Sequence, residues 1–211
     1  MEKQAEQLNN FLRKLEIYPN TNNVENQYKN EICLNNLKIY LTKMIVNNPE
    51  FLIIGEAPGY KGCAKTGIPF TDERNMIEAN HTIFGLNHGY KVHDEKCLYK
   101  ERTSKIVFDA IKGKENKVLM WNIFPFHPYK VGKIEGNRTP NINETEEGLE
   151  FTINLLDIFK NIKKENIYAI GRKAQNELEK NNIILSQKYI RHPSNGGANE
   201  FRKNIIDILS N

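Results

Sequence analysis

Three side chains of complementary chemistry stand where three apolar runs end. Glu56 lies in Gly55-Glu56-Ala57-Pro58-Gly59, directly behind Phe51–Ile54. Asn122 closes Val118–Trp121, and His192 opens His192-Pro193-Ser194 behind Tyr189-Ile190-Arg191. A carboxylate and an imidazole can move protons or balance developing charge, and an amide both donates and accepts hydrogen bonds. If the runs are neighbouring strands, their ends close around one small polar ring. Gly55, Pro58 and Gly59 suit a tight turn that brings backbone N–H groups close to a ligand.

The elements that must position these groups follow from periodicity. Residues 51–54, 118–121 and 167–170 are short apolar runs without alternation, as in strands buried on both faces. Helical spacing covers 103–112, 145–160 and 172–180 between or after them, and 198–209 at the end. Strands separated by helices give an α/β fold with a parallel sheet and right-handed crossovers. Ligands of such sheets sit beyond the carboxyl ends of the strands, where all three motifs fall. Two further helices, over 3–16 and 28–46, precede the first strand. Residues 60–100 show no clear periodicity, a length of loop that signals function or disorder.

Composition sets the outer bounds. A chain of 211 residues can bury the core of a single domain over 1–211, with 1–47 as amino-terminal helices packed on it. Thirty basic against 26 acidic residues give +4, too weak to demand nucleic acid but compatible with a locally basic face. No apolar stretch spans a membrane and the amino end has no signal-peptide core, so a cytoplasmic protein is expected. The three cysteines, Cys33, Cys63 and Cys97, form no CxxC pair, and His81, His88 and His93 lack metal-site spacing. No metal or cofactor is expected.

Two readings compete for the first loop. Gly59-Tyr60-Lys61-Gly62-Cys63-Ala64-Lys65-Thr66 approaches the phosphate-binding pattern GxxxxGK[ST], with Ala64 in place of glycine. Against a nucleotide triphosphatase, Thr66 is followed by Gly67-Ile68-Pro69 and no helix-forming run, and no later strand ends in a magnesium-holding aspartate. The ordered set of motifs instead resembles the uracil-DNA glycosylase superfamily. Gly55–Gly59 is similar to its GEAPG first motif, Gly67-Ile68-Pro69-Phe70 to a G-x-P-F segment, Asn122 to the strand-end asparagine, and His192–Ser194 to the HPS motif. The resemblance spans about 51–202. It implies a three-layer α/β/α fold with a mainly parallel four-stranded sheet.

It also implies a monofunctional DNA glycosylase that flips uracil or a related pyrimidine out of DNA, hydrolyses its N-glycosidic bond and leaves an abasic site. His192 would hydrogen-bond the departing base, and Glu56 would orient water or stabilise the sugar cation, as the two catalytic groups. Gly55, Ala57, Gly59, Phe70 and Asn122 would hold the base, Phe70 by stacking and Asn122 by reading the Watson–Crick edge. Ser194, Asn195 and Gly196, with the neighbouring Gly197 and with Pro58, would hold phosphate; Lys61, Arg202 and Lys65 are weaker phosphate candidates. DNA, single- or double-stranded, is the expected partner of a monomer. A non-catalytic module that binds a base or DNA end on the same fold is the alternative.

The chain departs from the family pattern at four places. Gly59 stands where strict uracil enzymes have a tyrosine that excludes 5-substituted pyrimidines, so the resemblance implies a floor open to thymine or larger bases. Ala57 stands where other branches carry their polar residue. The GEAPG branch holds a four-cysteine iron–sulfur cluster, which three cysteines cannot supply. Asn195–Asn199 lacks the leucine that some relatives insert into the DNA stack, so either another loop, such as 60–100, supplies the wedge or single-stranded DNA is preferred. Trp121, Phe124, Phe126 and Tyr129 read as packing, with His127 a further candidate for pocket or phosphate contact.

Overall fold

The computed structural model describes residues 2–78, 82–184, 189–194 and 196–210. In chain order the elements are α1 (Glu2–Ile17), β1 (Val24–Glu25), α2 (Glu31–Asn47), β2 (Phe51–Gly55), α3 (Cys63–Thr66), α4 (Glu73–Glu78) and α5 (Arg102–Ile111). They continue with β3 (Val118–Asn122), β4 (His127–Pro128), α6 (Ile142–Ile158), β5 (Ile167–Ala169), α7 (Arg172–Lys180) and α8 (Ala198–Ser210). The strands expected from the apolar runs are present, and each helix read from periodicity lies within a few residues of its expected place.

The main sheet has the order β3-β2-β5, all parallel, and its register sets Gly55 beside Asn122. A fourth position is taken by Ile190, which bridges Ile170 in parallel; its N–H donates to Ala169 O (2.8 Å) and its carbonyl accepts from Gly171 N (2.9 Å). The four-stranded sheet therefore exists, but its last strand is reduced to Ile190 among the described residues. Every residue of β3 is buried, which explains the apolar run without alternation. Helix α1 lays Phe11 against Trp121 (centroids 5.5 Å apart) and packs with α2 and α6, while α5 packs with α8. No described helix is long and apolar enough to cross a membrane.

The described residues of 60–100 are far more structured than their missing periodicity suggests. They contain α3 and α4 and contribute Ile68, Met76, Ile77, Ile83, Phe84 and Tyr90 to the core. Buried polar groups replace regular hydrogen bonding as the fastening. Glu73 accepts from the N–H groups of His93 (2.9 Å) and Tyr99 (3.0 Å), and Asn36 on α2 bonds Thr66 O (3.1 Å) and both polar backbone groups of Lys91. Periodicity cannot reveal such a segment, because its order comes from contacts between side chain and backbone.

Candidate active site

The parallel register delivers Gly55 and Asn122 to the same level, and the pairing continues past the strand ends. Ile123 N donates to Gly55 O (2.8 Å) and Phe124 N to Glu56 O (3.0 Å). Asn122 is buried, and among the described residues its amide has no hydrogen-bond partner. A methyl group on Gly55 would overlap Phe70 Cζ and come within 2.9 Å of Asn122 Oδ1. Glycine is thus required for the Phe70 ring and the amide to converge. Phe70 itself holds φ 57°, a left-handed conformation that costs a bulky residue about 1–3 kcal/mol. Thr66 Oγ1 fixes the turn around it by donating to Thr71 O (2.9 Å).

His192 is oriented by its own motif. The N–H of Ser194 donates to His192 Nδ1 (3.2 Å), and the Ser194 hydroxyl lies 2.7 Å from the same nitrogen. Nδ1 is therefore an acceptor, and the proton of the neutral ring sits on Nε2. Burial pushes the imidazole below its ordinary pKa, which favours that neutral form. Glu56 reaches toward the start of α7: a methyl on Gly171 would sit 3.1 Å from its Oε1. Burial raises its carboxyl, partly offset by the Lys173 charge.

These groups face one cavity of about 590 Å³, lined by Glu56 through Gly59, Phe70, Asn122, His192 and Ser194. That volume suits a small ligand. The same wall includes Glu101, Thr103 and Asn137 through Pro140, which the motif reading does not reach. Glu101 carries the largest carboxyl perturbation: burial, then the charge of Asp72, pushes it up to about 7. The stretch 137–140 is braced on all sides. Asn137 Oδ1 accepts from Tyr60 N (2.8 Å), Arg138 donates to Tyr129 O (3.0 Å) and Asn23 O (3.1 Å), and Pro140 O accepts from Lys173 Nζ (2.9 Å). Arg138 also donates to Glu144 Oε2 (2.7 Å), whose other role is to complete the capping box with Asn141 at the start of α6. The Asn-x-x-Glu spacing at 141–144 is the signal that could have marked this wall.

The remaining site expectations divide. Gly55, Glu56, Ala57, Pro58, Gly59, Phe70, Asn122, His192 and Ser194 come together, with Gly55 behind the ring of Phe70. Lys61 and Arg202 are outside the cavity wall; Arg202 lies toward α5, 3.9 Å from Asp109. Lys65 Nζ sits over the Tyr60 ring (4.5 Å). Gly196 is exposed, the Gly197 N–H is engaged by Ser194 O (3.1 Å), and Asn195 lies outside the described residues. His127 is not on the wall of this cavity: its ring nitrogens meet Pro58 O and Ile134 O, both at 3.0 Å, and lock two loops together. The opening expected at Gly59 is filled, because a methyl there would overlap Oε1 of Glu101. Thr66, the residue a triphosphatase would turn to magnesium, is buried and spends its hydroxyl inside the loop.

Residues 42–206 match the family model of the uracil DNA glycosylase superfamily. The chain belongs to that superfamily. Its fold is similar to the crystal structure of wild-type SMUG2 from Pedobacter heparinus, with a TM-score of 0.68 and 19% identity over 97% of each chain. Among curated proteins, the β sliding clamp of Buchnera aphidicola subsp. Rhopalosiphum padi is 25% identical over 154 residues, 70% of this chain and 36% of the clamp. The chain thus spans about a third of the length of that relative.

As a glycosylase-superfamily member, the chain places its cysteines away from any shared ligand set. Cys33 on α2 is buried against α3, its Sγ 3.2 Å from Lys65 O; Cys63, the first residue of α3, is buried at the cavity wall; and Cys97 is exposed. With three cysteines in all, these residues do not fit a four-cysteine iron–sulfur cluster. His88 lies 2.8 Å from Lys43 Nζ and His93 2.9 Å from Glu73, while His81 is outside the described residues. Among the described residues no group of three or more His, Cys, Asp or Glu could hold a metal ion.

Proposed function

We propose that this chain is a DNA glycosylase that hydrolyses the N-glycosidic bond of uracil or a related pyrimidine flipped out of DNA, leaving an abasic site. The observation that carries the reading is the orientation of His192. Two contacts from Ser194 occupy Nδ1, so Nε2–H is the free donor in a cavity that also holds an unpartnered amide and an aromatic ring.

The chemistry follows from that set. Phe70 stacks on the flipped base, and Asn122 reads its edge with both halves of its amide. As the bond between C1′ and the ring nitrogen breaks, its electron pair leaves with the base and positive charge develops on the sugar. Nε2–H of His192 stabilises the growing negative charge on a base oxygen without having to give up its proton. The Glu56 carboxylate faces the sugar, steadies the cation and accepts a proton from the water that adds its hydroxyl to C1′. Ser194 spends its own donors on His192, so the flanking phosphate falls to the exposed backbone at Gly196, with Pro58 lining the approach.

The test is alkaline cleavage of end-labelled oligonucleotides carrying uracil, thymine opposite guanine, or 5-modified cytosines, single- and double-stranded, in EDTA. Cleavage of one base, reduced about 10²–10³-fold by His192→Ala, is expected. Binding without an abasic product in any substrate would replace this reading with the non-catalytic module.

A further inference from the structure

Glu101 is a polar group of the cavity for which the proposed reaction has no use, and the protein gives its carboxyl no partner. It holds the N-cap position of α5, yet its side chain accepts no capping hydrogen bond from that helix. Its backbone is fixed instead: Glu101 N donates to Asp72 Oδ2 (2.6 Å), and Asp72 is buried just past the Phe70 turn. The side chain then folds over the first-motif loop. A methyl on Gly59 would overlap Oε1, and one on Gly62 would overlap Oε2. Two glycines leave a notch and one carboxyl fills it. Among the described residues no hydrogen bond reaches either oxygen, so a desolvated carboxyl is left with capacity that a ligand could satisfy.

Resting on the reading that a flipped pyrimidine occupies this cavity, we propose that Glu101 touches the base and sets which substituent is admitted. A substituent able to hydrogen-bond the carboxyl is taken, and a methyl group is refused. Pressing a methyl against this carboxyl removes its water and returns no hydrogen bond, whereas a polar substituent replaces what is lost.

The groups around Glu101 also set how it recognises. Asp72 stands behind it, Cys63 on α3 beside it, and Glu56 and His192 on other parts of the cavity wall; Lys65 is turned onto Tyr60 and Tyr99. With burial and Asp72 holding the carboxyl up to about 7, its acid form donates below neutrality and its carboxylate only accepts above it. A formyl oxygen, which only accepts, is therefore bound better at low pH. A hydroxymethyl group, which does both, is bound on either side.

The experiment measures equilibrium binding of wild type, Glu101→Leu and Glu101→Gln to single-stranded oligonucleotides at pH 6 and 8. The oligonucleotides carry 2′-fluorinated uracil, thymine, 5-hydroxymethyluracil or 5-formyluracil nucleotides. The fluorine disfavours positive charge on the sugar, so binding is read without cleavage. Wild type should favour hydroxymethyluracil over thymine by about tenfold or more, and Glu101→Leu should erase that ratio. The preference for formyluracil over thymine should fall between pH 6 and 8 in wild type but not in Glu101→Gln, whose amide always donates. An unchanged ratio in Glu101→Leu, an equal loss for all four bases, or no pH dependence in wild type would overturn the inference. Cleavage of ordinary uracil substrate by the same preparation judges the parent reading separately.

Discussion

Replacing Glu101 by glutamine should stabilise the protein at alkaline pH and have much less effect in acid. The carboxyl is held up to about 7 against an ordinary 4.5. Below 4.5 it is protonated in both folded and unfolded chains and carries no charge penalty. Between 4.5 and 7 the folded chain keeps a proton that the unfolded chain has lost, so wild-type stability falls as pH rises. Above 7 both states are ionised and the full penalty remains. The 2.5-unit difference between 7 and 4.5, at about 1.36 kcal/mol per pH unit, amounts to about 3 kcal/mol. Glutamine keeps the size and shape without the charge. Urea unfolding of both proteins at half-unit steps from pH 4.5 to 9 should therefore show the variant gaining about 3 kcal/mol relative to wild type, most of it before pH 7.5. A stability difference that stays flat across that range would refute the burial and the Asp72 repulsion on which the argument rests.

Four other variants probe separate parts of the molecule. Gly55→Ala should drive its methyl into the Phe70 ring and the Asn122 amide, cutting single-turnover cleavage at least about 100-fold while costing about 1–3 kcal/mol by thermal melting. Arg138→Ala strands the mostly buried Glu144 carboxylate, so denaturant unfolding should show a loss of about 3 kcal/mol, and substrate binding should weaken as the 137–140 wall loosens. The turn after β4 exposes Val131 and Ile134, each directly after a lysine, Lys130 and Lys133, and is tied to Pro58 through His127. Lys130→Ala with Lys133→Ala should lower DNA affinity and reduce the slope of log affinity against log salt by about 1–2. Val131→Ala with Ile134→Ala should lower the ratio of duplex to single-strand cleavage about tenfold, as expected of an apolar tip entering the stack.

What the sequence shows of this protein is whatever a local pattern encodes. The buried strands announce themselves through apolar runs because both faces are covered, and the strand-end positions of Glu56 and Asn122 follow once the sheet is parallel. The His192 turn is legible because Pro193 and Ser194 shape it within three residues. Glu101 is silent for the opposite reason. Its place depends on Asp72, 29 residues earlier, and on two glycines about 40 residues earlier, with no periodic signal linking them. The fourth strand is equally faint, since one residue, Ile190, makes its pairing among the described residues. At Gly59 the sequence shows a missing side chain; only the fold shows that another side chain has moved into the space.

That exchange reflects a division running through the whole site. Several polar groups around the cavity are tied down: Asp72 by two backbone N–H groups, Glu73 by the N–H groups of His93 and Tyr99, His127 between the carbonyls of Pro58 and Ile134, and Arg138 by three backbone carbonyls and a carboxylate. Four groups on its wall are left over: the Asn122 amide, the Glu56 and Glu101 carboxyls and His192 Nε2 have no hydrogen-bond partner among the described residues. Leaving such groups unmet costs stability, and the bonds made behind them hold their aim. A surface cluster of polar residues would relax toward one another or toward water. Here the orienting bonds are made in the layer behind, and the free donors and acceptors converge on one volume, which is the arrangement that recognises a polar ring and stabilises charge as it forms.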